Sequence, residues 1–449
     1  MPTTWTSSTI LSLPSSNQVL TAMKHRPQLV SFTAFVNIVR FLVSATFIFS
    51  GFVKAIDPKG TAYKLDAYLS AFGFPDWADD GKTLVAAVMI ASVEFLLGIY
   101  LLFGIRRKFT VALLLAIMAL FTPFTLYLAL TNPVSDCGCF GDALHLTNWQ
   151  TFGKNILLLL STLLLFFHAK KLFPLVTVSV HWAYSLFTMI YILVLCMASI
   201  HYLPLIDLRP YKVGTDLPKA MSVPEGAKPP VYEMQFVMEK NGKEQTFTLD
   251  NYPDSTWHFV RRIEILKEKG YVPPVSDFAI IDNQGNDITR NILADTSTTF
   301  VVVSPYLEKA DPDVVDELNT IHDFCMDKGY NMIGLTASDS AAISRWRYNT
   351  GAVYPIYFTD ALTLKTMIRS NPGLIQITAG KIDNKWSCNN LPLLYAGDKK
   401  SEAQIKPGST ADSSLKVLLK YALAYIVPLL FITLALNFGK ALKRRTKAQ

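Results

Sequence analysis

Two of the five cysteines, Cys137 and Cys139, stand one residue apart in the run Asp136-Cys137-Gly138-Cys139-Phe140-Gly141-Asp142. Cysteines at this spacing can bond only through a tight ring, and Gly138 gives the backbone the freedom such a ring needs. Strain makes a bond of that kind easier to reduce than a structural disulfide. Outside the cytoplasm it suits electron exchange with a partner thiol or a quinone. The same residues also allow a static disulfide or two free thiols in a structural turn. A metal site is poorly served, because only His145, Asp136 and Asp142 are near as further ligands, and no metal is expected.

Arg40 and Glu94 are the next candidates, each near the middle of a long apolar segment. An ionised group at that depth costs roughly 2.5–3.5 kcal/mol on insertion scales, so each needs a partner. The expectation is that they pair across antiparallel neighbours, with Asn37, one turn from Arg40, adding a hydrogen bond. Such a pair either fixes helix register or serves as a proton or quinone site. Cys196, near the outer end of another apolar segment, either forms a third thiol below the loop or simply packs.

What must position these residues is a membrane domain. The 449 residues are 51% hydrophobic and 17% charged, too apolar for a soluble chain of this length. Six segments, near 32–53, 83–104, 109–130, 153–169, 176–200 and 416–437, are about the length of a bilayer span. Four basic clusters fall on one side if all six cross: Lys24 with Arg26; Arg106 to Lys108; Lys170 with Lys171; and Lys440 to Lys447. That side is expected to be cytoplasmic, with both termini inside and residues 205–415 periplasmic or otherwise extracytoplasmic. Residues 1–30 then form a cytoplasmic tail without a cleavable signal, and Met23 is a second candidate start. Residues 438–449 form a basic cytoplasmic tail. The net charge of +7 is accounted for by these clusters, and no nucleic-acid partner is indicated.

Residues 205–230 carry several prolines and read as a linker, as do residues 396–415. Residues 231–395 read as one α/β domain. A hairpin around Asn241-Gly242 leads to a helix over Trp257–Lys269. Strands at Thr299–Ser304, Met332–Thr336 and Ile356–Thr359 then alternate with helices, before a last hairpin of Leu374–Thr378 and Lys381–Trp386. No phosphate loop, nucleophile elbow or zinc helix is present, and no internal repeat of the transporter type. His168 and His181 suit interfacial positions better than haem ligation.

Residues 30–170 resemble the DoxX/MauE family. The likeness rests on Ser50-Gly51-Phe52-Val53-Lys54, Glu94-Phe95-Leu96-Leu97-Gly98, and Asp136–Asp142 followed by Trp149 and Lys154-Asn155. It implies a four-helix core in the bacterial inner membrane, to which the fifth and sixth segments are added. It also implies links to disulfide maturation or quinone-coupled oxidation outside the cytoplasm. On that basis Cys137 and Cys139 are the expected catalytic pair, with Asp136, Gly138, Phe140, Gly141, Asp142, Trp149 and Asn155 supporting the loop.

The order of strands and helices after residue 299, with Asn371-Pro372-Gly373 before the last hairpin, resembles a thioredoxin or peroxiredoxin-like fold. Pro372 is the expected cis-proline. Where that family keeps its redox cysteines, this chain has Ser304-Pro305-Tyr306-Leu307, and neither Cys325 nor Cys388 sits in a Cys-x-x-Cys. Two functions therefore stay open. One is electron transfer through Cys137 and Cys139 to a quinone, a periplasmic thiol protein or a respiratory-chain component. The other is a non-catalytic anchor whose degenerate domain binds a partner.

Overall fold

The computed structural model describes residues 16–134, 137–228, 231–240, 243–248, 251, 253–254, 256–268, 270–398, 401, 405 and 414–446. Two compact units emerge, Met1–Ser199 with Leu418–Gln449, and Ile200–Val417.

The first unit is helical: α1 (Ser16–Ile56), α2 (Pro58–Ala71), α3 (Asp80–Phe103), α4 (Arg107–Thr131), α5 (Asn148–Phe167), α6 (His181–His201) and the C-terminal helix Ser414–Thr446. Among the described residues, six stretches are long and apolar enough to cross a membrane: Phe32–Ile56, Asp80–Phe103, Arg107–Thr131, Asn148–Phe167, Val178–His201 and Lys416–Leu436. Their ends lie within a few residues of the expected spans. The fourth starts at Asn148, not at 153, because Thr147 caps it in a reciprocal box with Gln150. Helix α1 already runs from Ser16, inside the stretch expected to be a tail.

Helices α1 and α3 lie antiparallel and very close, which two glycines permit. A Cβ at Gly98 would stand 2.7 Å from the Ile48 nitrogen, and one at Gly51 would run into the Phe95 backbone. Helix α2 has no counterpart in the expectations from sequence. Asp57 caps it by accepting from the Gly60 amide at 2.9 Å, and Pro58 fills its first turn. Hydroxyls tie α6 to the C-terminal helix: Tyr184 to Thr433 and Thr188 to Tyr425, each at 2.8 Å.

The second unit holds two sheets. The larger has the order β6-β5-β4-β7-β8, built from β4 (Thr298–Ser304), β5 (Asn331–Thr336), β6 (Ile356–Phe358), β7 (Gly373–Thr378) and β8 (Lys381–Ser387). Strands β4, β5 and β6 run parallel, while β7 and β8 are antiparallel. The burial pattern of β4 is nearly continuous, as a strand covered on both faces requires. One face packs Phe300, Leu318, Phe324 and Trp386, and the other packs Val301, Val303, Leu364 and Ile375.

The smaller sheet, β2-β1-β3, corrects one expectation. Strand β1 (Val231–Lys240) and β2 (Lys243–Thr248) form the expected hairpin, whose turn residues lie outside those described. The segment expected as a helix over Trp257–Lys269 is instead β3 (His258–Glu268), paired with β1 along its length. A residue run with weak local preference is decided by the strand edge available to it. The hairpin and β3 form a sheet separate from the five-stranded one. Residues 205–230 are not a free linker: Tyr211 and Leu217 are buried, and the Leu217 amide bonds Gly380 O at 2.9 Å. Most of residues 396–415, the second expected linker, lie outside the described residues.

Candidate functional site

Cys137 and Cys139 sit in the connection between α4 and α5 with their sulfurs 3.2 Å apart as free thiols. The loop turns through Gly138 and Gly141, at φ +63° and +52°, values that only glycine adopts freely. A side chain at Gly138 would also strike the stem of Lys64 from α2. Phe140 is buried under the loop, 5.5 Å from the Phe49 ring and beneath the Lys154 ammonium at 4.5 Å. Asp142 faces Lys64 at 4.0 Å.

The carbonyl of Cys139 is gripped from helix α1. Lys54 Nζ donates to it at 2.6 Å and Ser50 Oγ lies 2.7 Å from it. The same ammonium donates to Ser50 Oγ at 2.7 Å and to Glu94 Oε2 at 2.8 Å, so all three of its protons are used. This arrangement corrects the expected Arg40–Glu94 pair. The close packing of Gly51 on Ala91 and Gly98 on Ser44 sets a register that puts Glu94 level with Ser50, ten residues along α1 from Arg40. Arg40 instead caps the C-terminal end of α3. It donates to the Leu101 carbonyl at 2.8 Å, to Leu102, to Phe173 at 2.6 Å and to Asn37 Oδ1 at 3.2 Å. Orphan carbonyls at a helix end supply the negative partner that Glu94 was expected to give.

The thiols open on a cavity of about 590 Å³ within this unit. Its polar end holds Ser50, Lys54, Glu94, Cys137, Cys139, Lys154 and Asn155; its walls are Phe47, Leu65, Leu69, Phe72, Ile90, Met118, Phe124 and their neighbours. Tyr68, Phe72 and Phe124 pack ring on ring at 5.9–6.2 Å along one side. The wall from α2 recurs at helical spacing, at Thr61, Lys64, Leu65, Tyr68, Leu69 and Phe72. That periodicity was the signal available in the sequence, together with the Asp57-Pro58 start. Arg40, Asn37 and Cys196 do not line the cavity. Trp149 is 58% exposed against Phe152, while Asn155 donates to Thr125 at 3.2 Å at the cavity edge. Asp136 lies outside the described residues.

The two sulfurs are electrostatically unequal. The hydrogen bond from Cys137 draws the Cys139 thiol well below the usual range against the cost of burial, and the charges of Lys154 and Lys54 add to it. The shared proton pushes Cys137 well above that range, with burial adding to the rise, although the Tyr68 hydroxyl bonds to it. This asymmetry favours Cys139 over Cys137 as the thiolate of the reduced pair.

In the sheet unit the Asn371-Pro372 peptide is cis, and Asn371 donates to Tyr306 O at 2.9 Å while its Oδ1 accepts from Ser304 at 2.6 Å. Cys325 is fully buried, and Cys388 follows β8 with its amide on Ser370 Oγ at 2.9 Å. Burial pushes the Cys325 thiol up to about 12.

Residues 32–168 match the family of the methylamine utilisation protein MauE, and residues 232–269, which cover the β1–β3 sheet, match a domain of unknown function (DUF8463). No curated protein matches the chain. A solution structure titled as a candidate protein disulfide isomerase from Bacteroides thetaiotaomicron is similar at 16% identity. It covers 30% of this chain and 89% of that one, with a TM-score of 0.23. At that score the likeness fixes no fold.

Proposed function

We propose that the membrane unit is a dithiol–disulfide oxidoreductase in which Cys137 and Cys139 exchange two electrons with an apolar carrier of the quinone class. The same pair exchanges electrons with a thiol protein outside the cytoplasm. The observation that carries this reading is the pair of unbonded thiols, 3.2 Å apart, at the polar end of a large apolar cavity. The match of the surrounding helices to MauE supports it. Cavities of a few hundred Å³ with apolar walls and few polar groups suit a planar ligand with a greasy tail.

A quinone would accept two electrons and two protons. Joining the sulfurs releases both electrons but, from one thiol and one thiolate, a single proton; water at the loop supplies the other. Tyr68, Phe72 and Phe124 would flank the ring, and α2 would keep bulk water off it. The four basic clusters support a loop on the extracytoplasmic side of a bacterial inner membrane. A reporter active only outside the cytoplasm should then work at residue 220 and fail at residue 449.

The sheet unit supports a second, compatible role. Ser304 to Leu307 stand beside the cis Pro372 loop without a cysteine and are wired into it by hydrogen bonds. We read it as a thioredoxin-like docking module, not a redox enzyme. The test is thiol labelling of full-length protein in liposomes, before and after a short-chain quinone is added to the reduced form. Loss of label at Cys137 and Cys139 with quinol formation is the expected result. Unchanged label would leave only the anchoring role.

A further inference from the structure

The loop sulfurs are chemically distinct although their spacing is symmetric: the hydrogen bond between them sets them apart most, and groups on four helices face them unequally. Cys139 is faced by Lys54 from α1, Glu94 from α3 and Lys154 from α5. Cys137 is faced by Tyr68 from α2 and by Lys154. The Lys54 side chain is only 7% exposed and meets Glu94, 21% exposed, at 2.8 Å, so the pair is held in one place by packing. Its protons are all committed, one of them to the Cys139 carbonyl at 2.6 Å. Ser50 holds that carbonyl from the same side.

We propose that Ser50, Lys54 and Glu94 form a fixed-charge clamp that seats Cys139 and selects it over Cys137 as the sulfur that reacts first. The clamp residues are positioning residues: Lys54 touches the backbone of the loop and acts on the sulfur through its field. The selection rests on the dithiol reading of this loop but needs no carrier. Reacting first, the Cys139 thiolate attacks one sulfur of a partner protein's disulfide, which is the two-electron oxidant, breaking that S–S bond and releasing one partner thiolate. Cys137 then displaces the other partner sulfur by attacking the Cys139 sulfur, giving the disulfide and returning the electron pair to the leaving partner.

Reduced full-length protein in detergent is treated with iodoacetamide across pH 5 to 9, and alkylation at each cysteine is read by peptide mass spectrometry. In the parent protein Cys139 is modified before Cys137. Lys54→Met should move the Cys139 profile up by about one pH unit, a roughly tenfold slower reaction below its midpoint, and erase the preference. Ser50→Ala should shift it less, in the same direction, and Lys54→Arg should largely preserve it. If Lys54→Met does not fold, Lys54→Gln carries the test, since its amide keeps a donor for Glu94 and the Cys139 carbonyl while removing the charge. A folded variant lacking Lys54 in which Cys139 still reacts first at an unmoved midpoint overturns the clamp. Because quinone is absent, that result leaves the proposed function standing, and a clamp that holds in a protein unresponsive to quinone rejects the function alone.

Discussion

Two cysteine environments in this protein differ in nearly every respect that sets reactivity. Cys325 lies on the helix Val315–Lys328 in an apolar core and is pushed up by burial alone. Cys139 is enclosed too, yet a second thiol and two lysines draw it the other way. Burial without charge makes a thiol inert; burial beside cations and a thiol donor makes a nucleophile. Enclosure therefore says little about a cysteine until the neighbouring charges are counted.

The comparison can be broken most decisively by substitution. Cys137→Ser or Cys139→Ser should abolish quinone-dependent thiol cycling while insertion and melting stay near the parent. Cys325→Ala and Cys388→Ala should leave it intact. A folded Cys325→Ala protein that no longer cycles would place the chemistry in the sheet unit.

The charge pair gives the next largest effect. Glu94→Gln leaves Lys54 buried without its counter-ion, a loss of about 3 kcal/mol or more for breaking a buried pair, read as a fall in folded yield. Adding Lys54→Met should recover part of it, whereas adding Arg40→Gln should not. Recovery through Arg40 would show that the α1–α3 register differs from the one described.

Labelling sharpens the contrast between the thiols directly. With its thiol drawn down to about 6, Cys139 carries a thiolate at neutral pH and loses it as pH falls through that value. Its alkylation should therefore persist at pH 7 and fade below pH 6. Cys325 should react only after unfolding. Gly98→Val should loosen the clamp from a distance by parting α1 from α3, at a cost of about 1–3 kcal/mol for overpacking, visible as a lower melting temperature.

The narrowest test, confined to acid pH, lies in the sheet unit. Burial alone would raise the Asp207 carboxyl, but Lys385 at 2.7 Å and Arg209 at 2.8 Å hold it well below the usual carboxylate range. A lowered value means stability present above the ordinary pKa of 3.8 and lost as pH falls beneath it. Asp207→Asn should flatten the acid limb of that unit's melting profile.

The hydropathy of the chain determined the six spans, because a run of about 20 apolar residues has few other stable fates. The β-branched run Thr299–Ser304 and the periodic helix after it were legible for the same local reason. The cysteine pair was legible as a candidate because its chemistry lies within three residues. Tertiary structure decided the rest. His258–Glu268 became a strand because an edge of β1 was there to pair with it. Glu94 was visible as a costly buried charge, but its partner depended on helix register. Two glycines at the α1–α3 contact bring it to Lys54 and leave Arg40 to the carbonyls of α3. The cavity is assembled from α1 to α5 and the thiol loop, so no local stretch of sequence contains it. The charges that add to the Cys137 hydrogen bond in drawing Cys139 down come from lysines 85 and 15 residues away in the chain, brought to it by packing.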